Sequence, residues 1–577
     1  MQSLLDWLAD PSVDTGLHIA EAGDEWSYTS YEELAAEVRS FSAVLLESDP
    51  APGAIVSLML TRSKSFIVAF MATLAAGLTP SPVTPLSSFR RQSRYEAHLK
   101  EIFTVAEPAL IVAQEETRDL AQDVVRGLGG KTAVIAAPAA PAQPKRSAET
   151  GLAAVRRRAP EDVALLQFTS GSSGNPKGVR VSWRALTANV RAIREWLEWR
   201  PGDVFASWLP LFHDMGLVGG MIFPVTTGTD LWIMTPEQFV RSPKRWLDCF
   251  GRHGATITTA PNFGYAYCVK RVKPEELAGS DFSAWRVAIS GAERIDPATL
   301  ADFAALLRPH GFDSAALIGA YGLAESTLAV TGVRPGRRSP VLRYSPGDLD
   351  LGRWVEPADP GVLGEDRVEG DWIVGCGAPV GDLSVEIVDA DGKPLSDGFF
   401  GEIVVQGSSL ADGYVHADGT LSTFGAAGLH TGDGGFRWRN QLYVVGRLAD
   451  SLKVRGTAIF AEDLEAQLAM IPGLSAGRLV VLLGQIGARG HAVLLVEDSD
   501  HAAWFDEALA TLSARLTAEV TVSVLLGRRG SIERTSSGKP RRRVLWKALR
   551  GGPGGESNGW RLVYGPASRD LTKGEAR

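Results

Sequence analysis

Apolar positions along this chain switch repeatedly between two periods. In "TSYEELAAEVRSFSAVLLES", residues 29–48, Leu34, Ala35, Val38, Phe41 and Leu45 recur at helical spacing. Ser30 stands three residues before Glu33, so a capping box opens that helix. "AIVSLML" at 54–60 is a continuous apolar run of strand length, and "SKSFIVAFMATLAAG" at 63–77 predicts a helix packed on it. "ALIVA" at 109–113 and "TAVIAA" at 132–137 predict two further short strands. "VALLQF" at 163–168 predicts a strand and "SWRALTANVRAIREWLEW" at 182–199 a helix. Strand and helix patterns that alternate in this way define an α/β fold class.

Between these elements lie stretches with neither period. Residues 137–160 are rich in Ala, Pro and charge and read as a surface loop. A second irregular stretch runs from about 332 to 370. The segment from 551 to 577, "GGPGGESNGWRLVYGPASRDLTKGEAR", is Gly-rich and polar, the composition of a disordered tail.

Composition narrows the functional classes. The chain has 577 residues, 45% hydrophobic and 22% charged, as in a soluble multidomain protein. Its net charge of −8 argues against nucleic acid as the main partner. Cys249, Cys268 and Cys376 are far apart and odd in number, which disfavours a disulfide framework or zinc site and fits a reducing compartment. "FIVAFMATLAAGL" at 66–78 is too short to span a bilayer, and the N-terminus lacks the basic start of a signal peptide. A cytoplasmic location is expected.

One loop carries candidate chemistry. "QFTSGSSGNPKGVR" at 167–180 follows the strand at 163–168 directly. Thr169, Ser170, Ser172 and Ser173 supply hydroxyls, while Gly171, Gly174 and Gly178 permit close backbone approach to an anion. Lys177 adds a mobile point charge suited to outer phosphates. The spacing is not that of a Walker loop, because Pro176 precedes the lysine and Gly178 follows it. Taken alone, it is either a phosphate cradle of another kind or a flexible turn.

"LLQFTSGSSGNPKGV" resembles the phosphate-loop motif of the adenylate-forming superfamily, and the other motifs of that superfamily follow in order. "SGAE" at 290–293 and "AYGLAEST" at 320–327 resemble its adenine-binding segments. "LHTGDGGF" at 429–436 resembles its ribose-binding motif, "VVGRLADSLKVRG" at 444–456 its hinge, and "RTSSGKPRRR" at 534–543 the segment with its catalytic lysine. The resemblance spans about residues 25 to 550. It implies a large N-terminal adenylation domain over 1–446 and a small mobile α+β C-terminal domain over 447–550.

What the resemblance implies for single residues has a chemical rationale. Glu325, with Thr169, would hold Mg²⁺ bridging the ATP phosphates through hard oxygens. Tyr321 would stack on adenine beside Gly322, with Gly291, Ala292 and Glu293 along its edge. Asp433, acceptor-only when ionised, would take both ribose hydroxyls, and Arg447 would donate to ribose or phosphate. Lys539 would stabilise charge developing between the acyl carboxylate and the α-phosphate. Two departures stand out: Gly434 replaces a larger apolar residue and is expected to loosen the ribose loop, and Ala449 replaces a hinge Asp or Lys.

"WLPLFHDMGLVGGMIFPV" and "TAPNFGYAYCVKRV" are most similar to fatty acyl-AMP ligases, and residues 333–372 stand where that group carries an insertion. This likeness implies transfer of the acyl group to the phosphopantetheine thiol of a separate acyl carrier protein. Lys453 stands where coenzyme A ligases often carry a lysine for the second half-reaction, so an acyl- or aryl-CoA ligase is the alternative. A relative diverted to an aryl acid or nitrite, and a catalytically dead binding module, are further alternatives. His213 is assigned to the carboxylate side of the site. Phe212, Trp208, Phe263 and Tyr265 are candidate walls for an acyl chain, although core packing explains such aromatics equally well.

Overall fold

The computed structural model describes residues 3–86, 92–130, 132–138, 155–156, 158–169, 177–344, 349–365, 372–416, 418–425, 428–454, 457–486, 489–498, 503–516, 520–535, 538–551 and 559–565. Its largest element is a nine-stranded sheet, parallel through its middle. Gly16–Ala20, Asp230–Ile233, Val204–Ser207, Ile257–Ala260, Val287–Ser290 and Leu317–Gly322 run side by side. Antiparallel strands Trp26–Ser30 and Ala329–Gly332 flank that core, and Ala378–Pro379 closes the second edge. The core strands are short and apolar on both faces because helices cover them, as in α/β folds.

A second, all-parallel sheet orders Thr79–Pro82, Ile55–Met59, Leu110–Ala113 and Ala133–Ala136. The helix Ser63–Ala75 packs on it with eleven of its residues buried, which explains why the sequence there is apolar on every side. The helix Tyr31–Leu46 begins with both capping-box bonds: Ser30 Oγ accepts from Glu33 N–H at 3.2 Å, and Glu33 Oε2 accepts from Ser30 N–H at 2.9 Å.

Two antiparallel sheets bring the remaining motifs in. The hairpin Val163–Thr169 and Lys177–Ser182 is extended by Gly413–Val415 and Leu421–Thr423. Ser384–Val388, Gly401–Gln406, Leu429–Trp438 and Gln441–Arg447 form the other. Gly434 does not loosen its segment. It pairs with Gly446 in the ladder, and Phe400 and Leu448 fill the space where a side chain would stand, 2.6 and 2.8 Å from the position of its absent Cβ.

The sequence also misjudged two irregular stretches. Within 332–370, Pro340–Arg343 and Ala358–Val362 pair antiparallel, and Trp372–Val374 joins them in a three-stranded sheet. In the tail, Trp560–Tyr564 pairs with Val520–Gly527 and buries Trp560 against the apolar side chains of that sheet. Its partner is a distant strand edge, which the tail's composition cannot reveal.

From Leu452 onward the chain builds two apolar cores of its own around the sheet Leu479–Ile486, Arg489–Val496, Val520–Gly527 and Trp560–Tyr564. Among the described residues no helix is long and apolar enough to cross a membrane.

Candidate active site

A cleft of about 2380 Å³ lies between the end of the large sheet and the C-terminal segment. The strand Val163–Thr169 delivers Thr169 to its rim, and Lys177 returns opposite it as the next strand begins. Ser170, Gly171, Ser172, Ser173 and Gly174 lie outside the described residues. The Lys177 ammonium sits 5.0 Å from the centre of the Tyr414 ring, and the Tyr414 hydroxyl donates to Glu325 Oε1 at 2.6 Å. Burial pushes the Tyr414 phenol up, and the Glu325 carboxylate adds to the shift, so the phenol stays protonated and remains a donor. Glu325 stands on a single turn, Ala324–Ser326, whose exit at Thr327 takes a left-handed φ of 67°.

Three side chains from distant segments meet deeper in the cleft. The Tyr321 hydroxyl donates to Asp433 Oδ2 at 2.6 Å, and Arg447 Nε lies 2.8 Å from Asp433 Oδ1. Asp433 and Arg447 are cross-strand partners in one ladder, which fixes the ion pair by register. Asp433 is only 7% exposed. Burial alone would lower the Arg447 pKa, but Asp433, Tyr321 and Glu325 outweigh it and the net shift is upward. Burial, reinforced by Asp433, pushes Tyr321 well up. The cluster therefore joins an aspartate to a fixed cation and to a phenol that keeps its proton.

On the other wall, His213 Nδ1 lies 2.9 Å from Asp214 Oδ1, which also accepts from Met215 N–H at 2.8 Å. Burial pushes Asp214 up, yet the hydrogen bond and charge of His213, the Met215 N–H and the positive Lys539 together hold it below the ordinary carboxylate range. An ionised carboxylate only accepts, so Nδ1 carries the hydrogen. Glu293 accepts from Phe263 N–H at 2.6 Å, and burial raises its pKa despite the nearby positive charges of Lys539 and Arg534. Ala292, just before it, holds a left-handed φ of 65°.

Lys539 arrives from the C-terminal segment. Its loop is a closed turn: Thr535 N–H donates to the Lys539 carbonyl at 2.7 Å, and Lys539 N–H donates to Thr535 Oγ1 at 3.0 Å. Thus Thr169, Lys177, Phe212, His213, Phe263, Ala292, Glu293, Tyr321, Gly322, Glu325, Asp433, Arg447 and Lys539 all line one cleft. Other described candidates do not: Tyr265 is buried in the core, its hydroxyl donating to the Ile289 carbonyl at 2.8 Å, and Gly178 pairs with Phe168 in the strand ladder. Gly291 lies behind the cleft in an adjoining smaller space. Lys453 lies outside, its ammonium 3.0 Å from Asp350 Oδ1.

Several residues at the cleft escaped the sequence reading. Tyr414 is 89 residues from the Glu325 it contacts, and no local pattern marks it. Arg294 forms an ion pair with Asp463, which also accepts from the Tyr344 hydroxyl at 2.9 Å. Arg542 faces Asp450, Glu462 and Glu465 at 3.2, 3.4 and 2.8 Å. Of these only Arg542 stood within a quoted basic run, and a run of charges does not reveal a partner.

Thr169 and Lys177 of the hairpin, a tyrosine–aspartate–arginine cluster and Lys539 share this cleft, and the AMP-binding enzyme family model matches residues 12–415. The chain belongs to that family. This AMP-binding enzyme is an acyl-adenylate-forming ligase that uses ATP. A medium-chain-fatty-acid–[acyl-carrier-protein] ligase of Moorena producens is 30% identical over 540 residues, covering 89% of this chain and 88% of that protein. A Caulobacter vibrioides protein provisionally named an acyl-CoA synthetase is 31% identical, covering 91% of each. A structure from work on fatty acyl-adenylate ligases of E. coli and L. pneumophila superposes with a TM-score of 0.80 at 29% identity, covering 94% of this chain and 96% of that one.

Proposed function

We propose that this ligase activates an aliphatic carboxylic acid as its acyl-adenylate and then transfers the acyl group to the phosphopantetheine thiol of a separate acyl carrier protein. The observation that carries the first step is the meeting of Lys539 with His213, Glu325, Asp433 and Arg447 along one cleft. In this reading Asp433 accepts the ribose hydroxyls with its remaining lone pairs, and Arg447, paired with it, holds the carboxylate in place. Tyr321 lies along the adenine. Lys177 and the hydroxyls of 169–173 hold the outer phosphates.

The residues fit a magnesium ion. Among the described residues no three His, Cys, Asp or Glu side chains cluster into a metal cage. Mg²⁺ bound chiefly by phosphates needs none, only one or two protein oxygens such as those of Glu325 and Thr169. When bound, it would neutralise phosphate charge during transfer. Tyr414 orients Glu325 for that task through their 2.6 Å hydrogen bond.

In the first step a carboxylate oxygen of the acid bonds to the α-phosphorus as the bond to the β-phosphate oxygen breaks, releasing pyrophosphate. Lys539 reaches the cleft from the C-terminal segment, and in this reading its ammonium offsets the charge that grows on the α-phosphate. His213, oriented by Asp214, turns Nε2 toward the acid. In the second step a thiolate sulfur bonds to the acyl carbon and AMP leaves. Before that second step, residues after Arg447 move as a unit and exchange Lys539 for a segment that carries Lys453.

The carrier-protein acceptor is supported by the name of the Moorena relative. A coenzyme A acceptor is the second reading, favoured by the name of the Caulobacter relative. Enzyme incubated with ATP, magnesium and octanoate, with either coenzyme A or a holo carrier protein, separates them by which thioester accumulates. Thioester on coenzyme A alone contradicts the carrier assignment.

A further inference from the structure

The helix Gln92–Ala106 carries two neighbouring stripes. Tyr95, Leu99, Ile102 and Phe103 recur at helical spacing and are buried in an apolar cluster. Phe168, the residue before Thr169, packs against the same cluster. Beside that stripe, Arg94, His98 and Glu101 fall on one polar face, each a turn beyond the last.

The polar face meets the segment that carries Lys539. Arg94 Nη1 lies 3.2 Å from Glu533 Oε1. The charge of Arg541 acts on the other two residues of the face. Burial and Arg541 together push His98 down to about 4, so the imidazole stays neutral beside the guanidinium. Burial raises Glu101, and Arg541 pulls against that rise. Glu533 and Arg541 are the two ends of the lysine loop: the Arg541 N–H donates to the Glu533 carbonyl at 2.8 Å, and Arg534 and Pro540 bridge between them. One helix therefore contacts one stem of the loop and faces the other. Neither Arg94 nor Glu533 lines the cleft, so the contact holds the loop from outside.

We propose that the helix Gln92–Ala106 is the seat of the Lys539 loop during adenylate formation, and that Arg94, through Glu533, is a positioning residue that keeps Lys539 in the cleft. The proposal rests on the reading that Lys539 serves the first step and leaves before the second. Because the same helix packs on Phe168, the seat ties the lysine to the strand that leads into the phosphate loop. The contact must also release, and an exposed pair suits that need. Arg94 is well exposed, and such a pair shifts an equilibrium by up to about fivefold, with a like-charged pair opposing by a similar factor.

The test is a charge swap in the full chain, read on each half-reaction. Arg94→Glu should lower kcat for octanoate-dependent ATP–pyrophosphate exchange by about tenfold, with the KM for ATP changed by less than about twofold. Glu533→Arg should do the same. The two substitutions combined should restore exchange to within about threefold of the wild type. Transfer from supplied octanoyl-adenylate, to whichever thiol the enzyme accepts, should change by less than about twofold in all three. Both side chains reach solvent, so the variants should fold, which thermal melting checks. Exchange at the wild-type rate in both single variants, no recovery in the double variant, or an equal loss in both half-reactions overturns the seat. Lys539→Ala, run in parallel, tests the underlying reading. Undiminished exchange there overturns the first-step role of Lys539, whereas lost exchange there beside normal exchange in Arg94→Glu overturns the seat alone.

Discussion

Replacing Asp433 by Asn probes the cluster proposed to hold the nucleotide. Asparagine keeps the shape of the buried side chain but loses its charge, one acceptor oxygen and the ion pair to Arg447 at 2.8 Å. A hydrogen bond to a charged acceptor contributes about 1.5–3 kcal/mol and one to a neutral acceptor about 0.5–1.5, so each ribose hydroxyl loses about 1 kcal/mol. Two hydroxyls make about 2 kcal/mol, or roughly 30-fold in the KM for ATP. The fold should tolerate the change. Arg447 is 50% exposed and can rehydrate, and Tyr321 can still donate to the amide oxygen, so the stability cost should be about 1 kcal/mol. ATP–pyrophosphate exchange at saturating acid measures the KM, and thermal melting checks the fold. A second substrate sharpens the test: 2′-deoxy-ATP should be penalised about 30-fold by the wild type and only about fivefold by Asp433→Asn, since the bond it removes is about 1 kcal/mol weaker in the variant. An unchanged KM in a folded variant, or an equal deoxy penalty in both proteins, would refute the assignment.

The other predictions bear on chemistry, metal, acceptor and pH. Lys539→Ala should lower exchange by at least about 100-fold while calorimetric ATP binding stays intact; undiminished exchange removes the lysine from the mechanism. Tyr414→Phe deletes the 2.6 Å bond to Glu325 and should raise the magnesium needed for half-maximal exchange by about tenfold; an identical magnesium titration contradicts its orienting role. Lys453→Ala should spare adenylation and slow thioester formation, because the lysine lies outside the cleft beside Asp350; a loss of adenylation speaks against that division. Glu462 shares Arg542 with two other acids, and its Oε2 is buried without a hydrogen-bond partner. Burial raises its pKa despite the opposing pull of Arg542. A carboxyl raised in the folded state stabilises below its unfolded pKa and loses that contribution as pH rises through the folded value. Glu462→Gln should therefore melt above the wild type at about pH 8, with the gap closing toward about pH 4. A gap independent of pH would contradict this.

Local signals in the sequence gave local structure. The capping box at Ser30 and Glu33 formed as its spacing demands, and the apolar runs at 54–60 and 109–113 became buried parallel strands. Motif order gave the cleft, because Lys177, Glu325, Asp433 and Lys539 each stand in a recognisable stretch and all reach it. Contacts between distant residues stayed hidden. Tyr414 with Glu325 and Arg294 with Asp463 join segments 89 and 169 residues apart, and one sequence carries no record of such pairs. The tail strand Trp560–Tyr564 was missed for the same reason: its order comes from the edge of Val520–Gly527. The π-helix at Met215–Ile222 has no periodic signature that separates it from an ordinary apolar helix.

The central claim is that an acid oxygen becomes bonded to the α-phosphorus in this cleft. Octanoate labelled with heavy oxygen in its carboxyl group, turned over with ATP, magnesium and a holo carrier protein, tests it by mass spectrometry of the nucleotide. AMP carrying a single heavy oxygen is expected, released with unlabelled pyrophosphate. Unlabelled AMP, or ADP with labelled phosphate, would contradict it.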